Sequence, residues 1–594
     1  MLDPDIRVVL LEQLRPPVGY TLDAAVATTF TLDLSAALIP PLAFATFGMS
    51  TTPDPVAALE AVRSCADRID IFAQAGELIV PRQPSDLMTF LEPMVHEVRR
   101  PRPGHLFHPK VWLLRYQSPE AEPSYRLLCL TRNLTNDHSW DLALRLDGAE
   151  SGKRLAVNQP LVKFVRALPG LSTTPLPPHR LERVTQLAQD AYRVEWELPG
   201  DAWELQFRVL GIRGIKPDID FSGYRHLVIA PFLTDSGLKV VAPGSSGIRV
   251  VSRPEALDQL APDTVSVLDP FVVSGVAGLA DDPASPGLGT EQILAGLHAK
   301  LYIWERRRAA HVLLGSANAT QAAFGGNVEF LVELTGSTAT LGVEAFLGAD
   351  APFRAMLEAY STVGGQPPDP DDEARRRLEE LLWDIASVPP QVAVTAATAE
   401  EYALDVTTEK PLPIPEGYRV TIELLTRPGE TQVVDAAPLD ARFERVPLAD
   451  ITPFLVVRAT APAGLQGGTV IRGVLKNDPA GRLDVVLARQ VNTPEKFLRF
   501  LVLLLGLGNP NLLAMLAGSD SAASGYVRAA TAPGVLEMIL RALADHPQAL
   551  HDLDRLVQRL QATENGRMVL PEGFGDLWTV VRETLGKLEA VTEQ

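Results

Sequence analysis

Short apolar runs rich in β-branched residues alternate with polar turns and helical patterns through the first 195 residues. Runs of this kind are typical of strands, and the interleaved helical patterns indicate an α/β unit. A short helix is predicted at Val56–Ser64 and helical segments between residues 160 and 195. The predicted strands are Ala25–Leu34, Arg68–Ala75, the stretch after His108, Tyr125–Thr131 and Asp141–Leu146.

A second set of strands follows in residues 196–360 and predicts a second α/β unit. Its predicted strands are His226–Phe232, Ile248–Ser252, Val265–Phe271, the stretch after His298 and Val328–Leu334. The fold class expected for residues 1–360 is therefore α/β, with two similar units in one chain.

The pattern changes after residue 360. Ser361–Glu373 has the Gly, Pro and Asp content of a linker, and a charged helix ending near Trp383 completes residues 361–390. Residues 391–490 read as a β-sandwich-like domain. Its predicted strands are Tyr418–Leu424, Phe454–Thr460, Thr469–Leu475 and Leu483–Leu487. Residues 491–594 read as a helical domain, with helices predicted at Pro494–Leu507, Gly525–Ala544, Leu550–Leu560 and Gly573–Val591.

Candidate chemistry is concentrated in the stretch Gly296–Glu329. Its histidine and lysine are two residues apart on a predicted strand, so both side chains project from the same face. An imidazole and an ammonium placed together suit an anionic group such as a phosphate. The side chains singled out here are His298, Lys300, Ser316, Asn318 and Glu329.

A weaker copy of this pattern lies upstream. The histidine precedes the asparagine by 25 residues in the first copy and by 20 in the second, and LTRNLT corresponds to LGSANAT. A single histidine beside a lysine is usually an ordinary surface or core pair, but two pairs each followed by [ST]-x-Asn are hard to obtain by chance. The corresponding side chains are His108, Lys110, Thr131, Asn133 and Asp141.

The paired His-x-Lys and [ST]-x-Asn segments resemble the phospholipase D superfamily over roughly residues 20–340. That resemblance implies one active site built from both copies across a pseudo-twofold axis, with His108 as nucleophile and His298 as general acid. The superfamily usually has an acidic residue five positions after the lysine. Glu305 occupies this position in the second copy, but Arg115 occupies it in the first. Absence of that acid is also a feature of tyrosyl-DNA phosphodiesterases.

The residue types suit phosphodiester chemistry without a cofactor. Histidine titrates at about 6.5, so one imidazole can be neutral and nucleophilic while another is protonated and acidic. Lysine, asparagine and hydroxyl groups of both copies can donate to non-bridging oxygens, and Asp141 and Glu329 can each orient an imidazole. The pattern leaves open which acid serves which histidine. His105 and His138 compete for the histidine roles, but neither has a lysine two residues on.

Composition limits the partners. The net charge is −19, which argues against a chain that coats itself in nucleic acid but leaves room for a local basic cleft. Arg306, Arg307 and Arg308 follow the second motif and could line such a cleft or form a solvated hairpin turn. Two cysteines and no cluster with metal-ligand spacing give no metal site, and the chain is expected to be cytoplasmic.

These features favour a metal-independent phosphodiesterase, a nuclease cleaving DNA through a phosphohistidine in bacterial restriction or phage defence. Three alternatives stay open: end processing like that of tyrosyl-DNA phosphodiesterases, an inactive nucleic-acid-binding scaffold, and a phospholipase. The regions beyond residue 390 are expected to bind a protein partner or support a homodimer, with no membrane association.

Overall fold

The computed structural model describes residues 10–584, with gaps at 46–61, 275–295, 502–538 and 540–546 and at several shorter stretches of one to three residues. Over these residues the chain is a mixed α/β protein with four sheets. Two large sheets belong to the first 360 residues, and two smaller ones involve residues 391–476.

The first large sheet has seven strands in the order β5-β3-β1-β6-β7-β8-β9. Strands β2 and β4 lie outside it, in a smaller sheet. The bounds are β1 Thr21–Thr29, β2 Leu32–Asp33, β3 Ile69–Gln74, β4 Leu78–Ile79, β5 Val95–Val98, β6 Val111–Gln117, β7 Ser124–Leu130, β8 Ala143–Glu150 and β9 Val194–Trp196.

The second large sheet has eight strands in the order β10-β16-β15-β14-β11-β12-β13-β17. The bounds are β10 Ala202–Leu210, β11 Arg225–Ile229, β12 Ile248–Val251, β13 Leu268–Val273, β14 Leu301–Arg306, β15 Ala309–Gly315, β16 Glu329–Ser337 and β17 Leu357–Ala359.

The two large sheets repeat one topology. In the first, β1 pairs parallel with β3 and antiparallel with β6. In the second, β11 pairs parallel with β12 and antiparallel with β14. The hairpin β6-β7 then corresponds to β14-β15. Loop 118–123 of the first hairpin has six residues and loop 307–308 of the second has two, and β6 is one residue longer than β14. These differences account for the unequal spacing of histidine and asparagine in the two copies.

Side chains alternate along the central strands, so each large sheet faces two cores. Ala24 and Val26 of β1 face the core between the two sheets, whereas Ala25 and Ala27 face a second core on the outer side. The core between the sheets also holds Phe330 of β16 and side chains from both units, so the two units share one hydrophobic interior. A third core covers the outer face of the second sheet.

Helices pack against each of these cores, and two of them bury Phe164 and Leu187 in the core that the two sheets share. Their bounds are α1 Leu10–Leu14, α2 Leu34–Ala37, α3 Ile39–Ala45, α4 Gln159–Leu171, α5 Pro178–Ala191, α6 Asp235–Val241, α7 Pro254–Asp258, α8 Pro262–Val265, α9 Gln321–Gly325, α10 Thr338–Leu341, α11 Val343–Leu347, α12 Pro370–Ala386, α13 Arg482–Gln490, α14 Pro547–Gln561 and α15 Glu564–Arg567. Helix α12 begins inside the predicted linker, where Asp369 caps it by accepting from the amide of Asp371 at 3.0 Å.

Residues 391–476 form strands in two sheets that face one core with α12. The six-stranded sheet includes β2 and β4 of the first unit, because Leu78 pairs with Val470. This region is therefore joined to the first unit by strand pairing and does not stand alone as a sandwich. The bounds are β18 Gln391–Ala396, β19 Glu401–Pro411, β20 Arg419–Leu424, β21 Gln432–Val434, β22 Pro438–Pro447, β23 Phe454–Thr460, β24 Gln466–Arg472 and β25 Val474–Lys476.

One predicted strand is wrong. Leu483–Leu487 lies in helix α13, which buries Val486 and Leu487 on one face, so neighbouring valines read as a strand where tertiary packing selects a helix. The prediction Leu550–Leu560 falls within α14. Gly525–Ala544 lies almost wholly outside the described residues, and Val56–Ser64, Pro494–Leu507 and Gly573–Val591 lie partly outside them.

Among the described residues, no helix has the length and apolar composition needed to cross a bilayer. Within the same residues, no three His, Cys, Asp or Glu side chains are grouped so that they could hold a metal ion.

Candidate active site

Both histidines lie at the same end of their sheets. His108 comes shortly before β6 and His298 shortly before β14, and these strands run antiparallel to β1 and β11. The motifs therefore meet the carboxyl ends of the parallel strands, the edge at which open α/β sheets bind ligands.

The two copies are interleaved through their backbones. The amide of His108 donates to the carbonyl of Val328 at 2.9 Å, and the amide of His298 donates to the carbonyl of Trp140 at 2.7 Å. Val328 immediately precedes Glu329, and Trp140 immediately precedes Asp141. Each histidine segment is thus paired with the segment that carries the acid of the other copy.

The lysines occupy equivalent positions. Lys110 Nζ donates to the carbonyl of His108 at 2.9 Å, and Lys300 Nζ donates to the carbonyl of His298 at 2.9 Å. Lys300 also reaches across to the carbonyl of Thr131 at 3.3 Å. Both lysines are buried. Each lysine ammonium group is therefore held by a hydrogen bond to the backbone carbonyl of the histidine in its own copy.

Glu329 serves His108, which resolves the pairing that the sequence left open. His108 Nδ1 lies 3.0 Å from Glu329 Oε2. The same carboxylate accepts from the Ser316 hydroxyl and, at 3.1 Å, from Asn327 Nδ2, and Glu329 is fully buried. The carboxylate fixes the imidazole with Nδ1 as the proton-bearing nitrogen and leaves the lone pair on Nε2.

Asp141 occupies the position in the first copy that Glu329 occupies in the second, as the matched backbone bonds show. It is exposed where Glu329 is buried. Burial lowers the pKa of Lys300 to about 8, and the carboxylates of Glu329 and Asp141 oppose this lowering. Asp141 therefore lies within electrostatic range of the site.

Burial and neighbouring like charges lower the pKa values of the basic groups at the site. Burial lowers the pKa of His108 to about 4, with Lys110 and Lys300 contributing and Glu329 opposing, so the imidazole is neutral at pH 7. Burial and then the charge of Lys300 bring the pKa of Lys110 well below its usual value. Burial alone would raise the pKa of Glu329, but His108, Lys110 and the Ser316 hydroxyl outweigh it and the pKa is lowered. Crowded cations of this kind favour an anionic ligand.

The hydroxyls of Thr131 and Ser316 are engaged within the protein. The amide of Leu142 donates to Thr131 Oγ1 at 2.7 Å, and the amide of Phe330 donates to Ser316 Oγ at 3.0 Å. Both side chains are fully buried. Both hydroxyls thus hold the motif strands against the acid-bearing strands, and their expected role in substrate binding stays a prediction.

The two asparagines retain unsatisfied amides. Asn133 Oδ1 and Asn318 Oδ1 are buried and have no hydrogen-bond partner in the part of the chain that the structure describes. A buried polar atom without a partner is destabilising and calls for an explanation. Rotating either amide about χ2 would exchange this acceptor for an N–H donor. The equivalent positions of the two amides fit a shared anion.

Arg306, Arg307 and Arg308 are not at this site, which corrects their assignment to substrate binding. They form the β14-β15 hairpin turn, with Arg306 paired to Ala309 and bonded to Asp220. Since a strand rises about 3.3 Å per residue, the turn lies roughly 20 Å from Lys300. The solvated-turn interpretation holds for them.

The acid five residues after the lysine is also remote from the chemistry. Glu305 accepts from the amide of Val343 at 2.9 Å and so supports α11. Arg115, at the same position of the first copy, bonds Asp23 and Asp190. Both residues therefore have structural partners, and the substitution leaves the site intact.

Several side chains beside the site were not indicated by the motifs. The rings of Phe30 and His108 have centroids 5.2 Å apart, and Lys110 Nζ lies 5.9 Å from the Phe30 centroid. Trp383 of α12 donates to Glu77 at 2.7 Å, and burial raises the pKa of Glu77 to about 7. Of these side chains, only Phe30 could have been suspected from its position, because it directly follows β1 at the edge where open α/β sheets bind ligands.

The competing histidines have different surroundings. Arg102 Nε donates to His105 Nδ1 at 3.2 Å, and within the described residues His105 has no carboxylate partner of the kind that His108 has. His138 lies outside the described residues.

Comparisons with known proteins find similar chains among the solved structures. No model of a known protein family matches the chain, and no curated protein matches it. Among solved structures, the chain is similar to a mutant of yeast tyrosyl-DNA phosphodiesterase. The two are 10% identical with a TM-score of 0.34, over 59% of this chain and 94% of that chain. The function proposed below therefore rests on the geometry of the site.

Proposed function

We propose that this chain is a phosphodiesterase of the phospholipase D type that cleaves DNA through a phosphohistidine on His108. The observation that carries the proposal is the pairing of His108 with Glu329 across the two copies, beside two buried lysines. A histidine oriented by a carboxylate and kept neutral near paired cations suits attack on a phosphate.

In the first step, the lone pair of His108 Nε2 forms a bond to phosphorus and the bond from phosphorus to the leaving oxygen breaks. His298 donates a proton to that oxygen, and Glu329 stabilises the positive charge that develops on His108. In the second step, His298 takes a proton from water, the water oxygen bonds to phosphorus, and the phosphorus–nitrogen bond breaks. The site returns to its starting state without any further reactant.

Lys110 and Lys300 stabilise the negative charge on the non-bridging oxygens, together with the amides of Asn133 and Asn318. A bound phosphate would favour the charged forms of both lysines and so oppose the lowering of their pKa values. Rotated about χ2, the amides of Asn133 and Asn318 would present N–H donors to the same phosphate. Asp141 orients His298 by analogy with Glu329.

DNA is the substrate we propose among phosphodiesters, and a place in restriction or phage defence stays a prediction. The test is to incubate the purified protein in excess EDTA with plasmid, single-stranded DNA, RNA, a 3′-tyrosyl oligonucleotide and a phospholipid. DNA cleavage supports the proposal. Release of tyrosine alone would support end processing, and hydrolysis of phospholipid alone would replace DNA by lipid as the substrate.

Covalent labelling tests the nucleophile. Wild-type protein and the His108→Ala, His298→Ala and His311→Ala variants are mixed with a nitrophenyl phosphodiester carrying labelled phosphate and quenched in base. His298→Ala should accumulate labelled protein and His108→Ala should not. His311 is a matched control, because its Nδ1 also lies 3.0 Å from a glutamate, Glu333, but it belongs to neither motif. Label in His108→Ala would move the nucleophile to another residue, and unchanged turnover in both motif variants would remove the proposed site.

A further inference from the structure

An exposed aromatic ring lies at the rim of the site on the side of the second copy. Phe232 follows β11 and is 51% exposed. The next residue, Leu233, forms a bridge with Ala319, and the amide of Thr234 donates to the carbonyl of Ala319 at 3.0 Å. Ala319 directly follows Asn318, so the ring emerges beside one of the two motif asparagines.

Arg253 connects the same ring to His298. Its guanidinium carbon lies 5.1 Å from the centroid of Phe232. Its Nε and Nη2 donate to the carbonyl of Leu297 at 3.1 and 2.9 Å. Leu297 directly precedes His298, and the charge of Arg253 contributes to the lowered pKa of Lys300. Phe232 is therefore positioned from two sides by segments of the site.

The first copy has a different residue at this position. Leu32 forms a bridge with Leu134, which directly follows Asn133, and the amide of Asp33 donates to the carbonyl of Leu134 at 3.0 Å. Leu32 thus corresponds to Leu233, and Thr31 corresponds to Phe232. Thr31 Oγ1 donates to Glu77 Oε2 at 2.9 Å. One side of the site therefore has a hydroxyl bonded to a carboxyl, and the other has an exposed ring against an arginine.

This asymmetry matters because the phosphate-binding groups are nearly symmetric while the reaction is not. With His108 as nucleophile, the leaving group departs on the side of His298. We propose that Phe232, supported by Arg253, is a stacking platform for a flat aromatic group on the leaving side of the scissile phosphate. Stacking of a base on an aromatic side chain contributes about 1–3 kcal/mol. The proposal rests on the proposed phosphodiesterase function and adds a specificity determinant to it.

The test uses dinucleoside phosphates in which one nucleoside at a time is replaced by an abasic sugar. The end that retains phosphate in the product identifies the leaving side. In the wild-type protein, removing the leaving-side base should lower kcat/KM by about 5- to 150-fold, the equivalent of the stacking contribution. In Phe232→Ala this difference should disappear, and Phe232→Leu should restore little of it because it lacks a flat face.

Tyr224→Ala is the matched control. Tyr224 is 61% exposed and precedes β11 at the end opposite to Phe232, where its backbone amide donates to the carbonyl of Glu305 at 3.0 Å. The Tyr224→Ala protein should lose as much kcat/KM as the wild-type protein when the leaving-side base is removed. Wild-type discrimination in Phe232→Ala, or discrimination against loss of the base on the retained side only, would overturn the proposal.

A second pair of substrates separates the two sources of a flat group. Thymidine 3′-phosphodiesters with a phenyl or a methyl leaving group are compared as the ratio of wild-type to Phe232→Ala activity, which cancels intrinsic reactivity. If the ratio of wild-type to Phe232→Ala activity is higher for the phenyl than for the methyl leaving group, but is not raised by a nucleobase on the leaving side, the platform binds an aryl adduct. A ratio raised for neither would refute it.

Failure of the proposed function gives a different result. If the wild-type protein cleaves no diester, the platform is tested by the fluorescence of a dinucleotide containing 2-aminopurine, which is quenched by stacking. Quenching that is lost in Phe232→Ala supports the platform without catalysis. Equal fluorescence in both proteins overturns it.

Discussion

Glu329→Gln is the substitution that most directly examines how the site is held. The carboxylate accepts from His108 and Ser316 through Oε2 and from Asn327 through Oε1. Glutamine has the same shape but presents one oxygen and one NH2 group to these three donors. A donor must then face a donor in either orientation of the amide. With its oxygen toward His108 and Ser316 the NH2 group faces Asn327 Nδ2, and with its NH2 group toward them His108 can bond only with its proton on Nε2, the atom that has to attack.

The magnitude follows from these contacts. A hydrogen bond to a charged group contributes about 1.5–3 kcal/mol, which corresponds to about 10- to 150-fold in rate. Loss of the correct tautomer increases the effect, and in serine proteases the analogous change of carboxylate to amide lowers kcat by about 10⁴. We expect kcat to fall by about 10²- to 10⁴-fold, with little change in KM because the lysines remain.

The assay is steady-state cleavage of a nitrophenyl phosphodiester, with DNA as a second substrate and thermal unfolding as a check on folding. Glu333→Gln is the matched control, because Glu333 lies on the same strand and accepts from His311 at 3.0 Å. It should leave kcat within about twofold of the wild-type value, as expected for a substitution away from the chemistry.

Two results would refute the reasoning. A Glu329→Gln protein that is folded and retains wild-type kcat would show that Glu329 does not orient the nucleophile. Equal losses in Glu329→Gln and Glu333→Gln would show that the effect is one of general stability.

Three further predictions concern pH, metal ions and packing. Because the pKa of Lys300 is about 8 and its charged form binds the phosphate, kcat/KM for a nitrophenyl diester, whose leaving group needs no proton from His298, should fall about tenfold per pH unit above about pH 8, and Lys300→Arg should move this limb upward in a pH–rate profile. Cleavage should persist in excess EDTA, and complete loss that magnesium restores would contradict this. Gly76→Ala should lower the free energy of unfolding by about 2–4 kcal/mol, because a Cβ there would lie 2.8 Å from Trp383 Cα at a φ of +85°. Gly19→Ala is the control, because Gly19 has a φ of +82° but a Cβ there would have nothing within 4 Å. In a denaturant titration this variant should lose only the part of the unfolding free energy that comes from backbone strain.

The amino-acid sequence was sufficient for the mixed α/β class and for many of the strands. Phe454–Thr460 was predicted with the bounds that the structure gives to β23. Such predictions succeed because the alternation of buried side chains is a local property of a strand. The strand predicted at Leu483–Leu487 is wrong because a short apolar run fits either a strand or a helix. Only the packing of this segment in α13 decides between them.

The sequence also determined which residue types the site contains, since the histidines, lysines and asparagines recur in both copies. It could not determine how the copies meet. The pairing of His108 with Glu329 joins residues 221 positions apart in the chain, and no local pattern encodes a contact of that separation. The same limit applies to Thr131 and Ser316, whose hydroxyls face the protein interior once the strands assemble.

Tertiary structure alone decided which neighbours surround the motifs. Arg306 is close to Lys300 in sequence, yet an extended strand carries it to the far end of the sheet. Phe232 and Arg253 are distant from His298 in sequence, yet the ends of β11 and β12 bring them to its side. Strand direction and sheet order set these distances, and both depend on pairing between segments far apart in the chain.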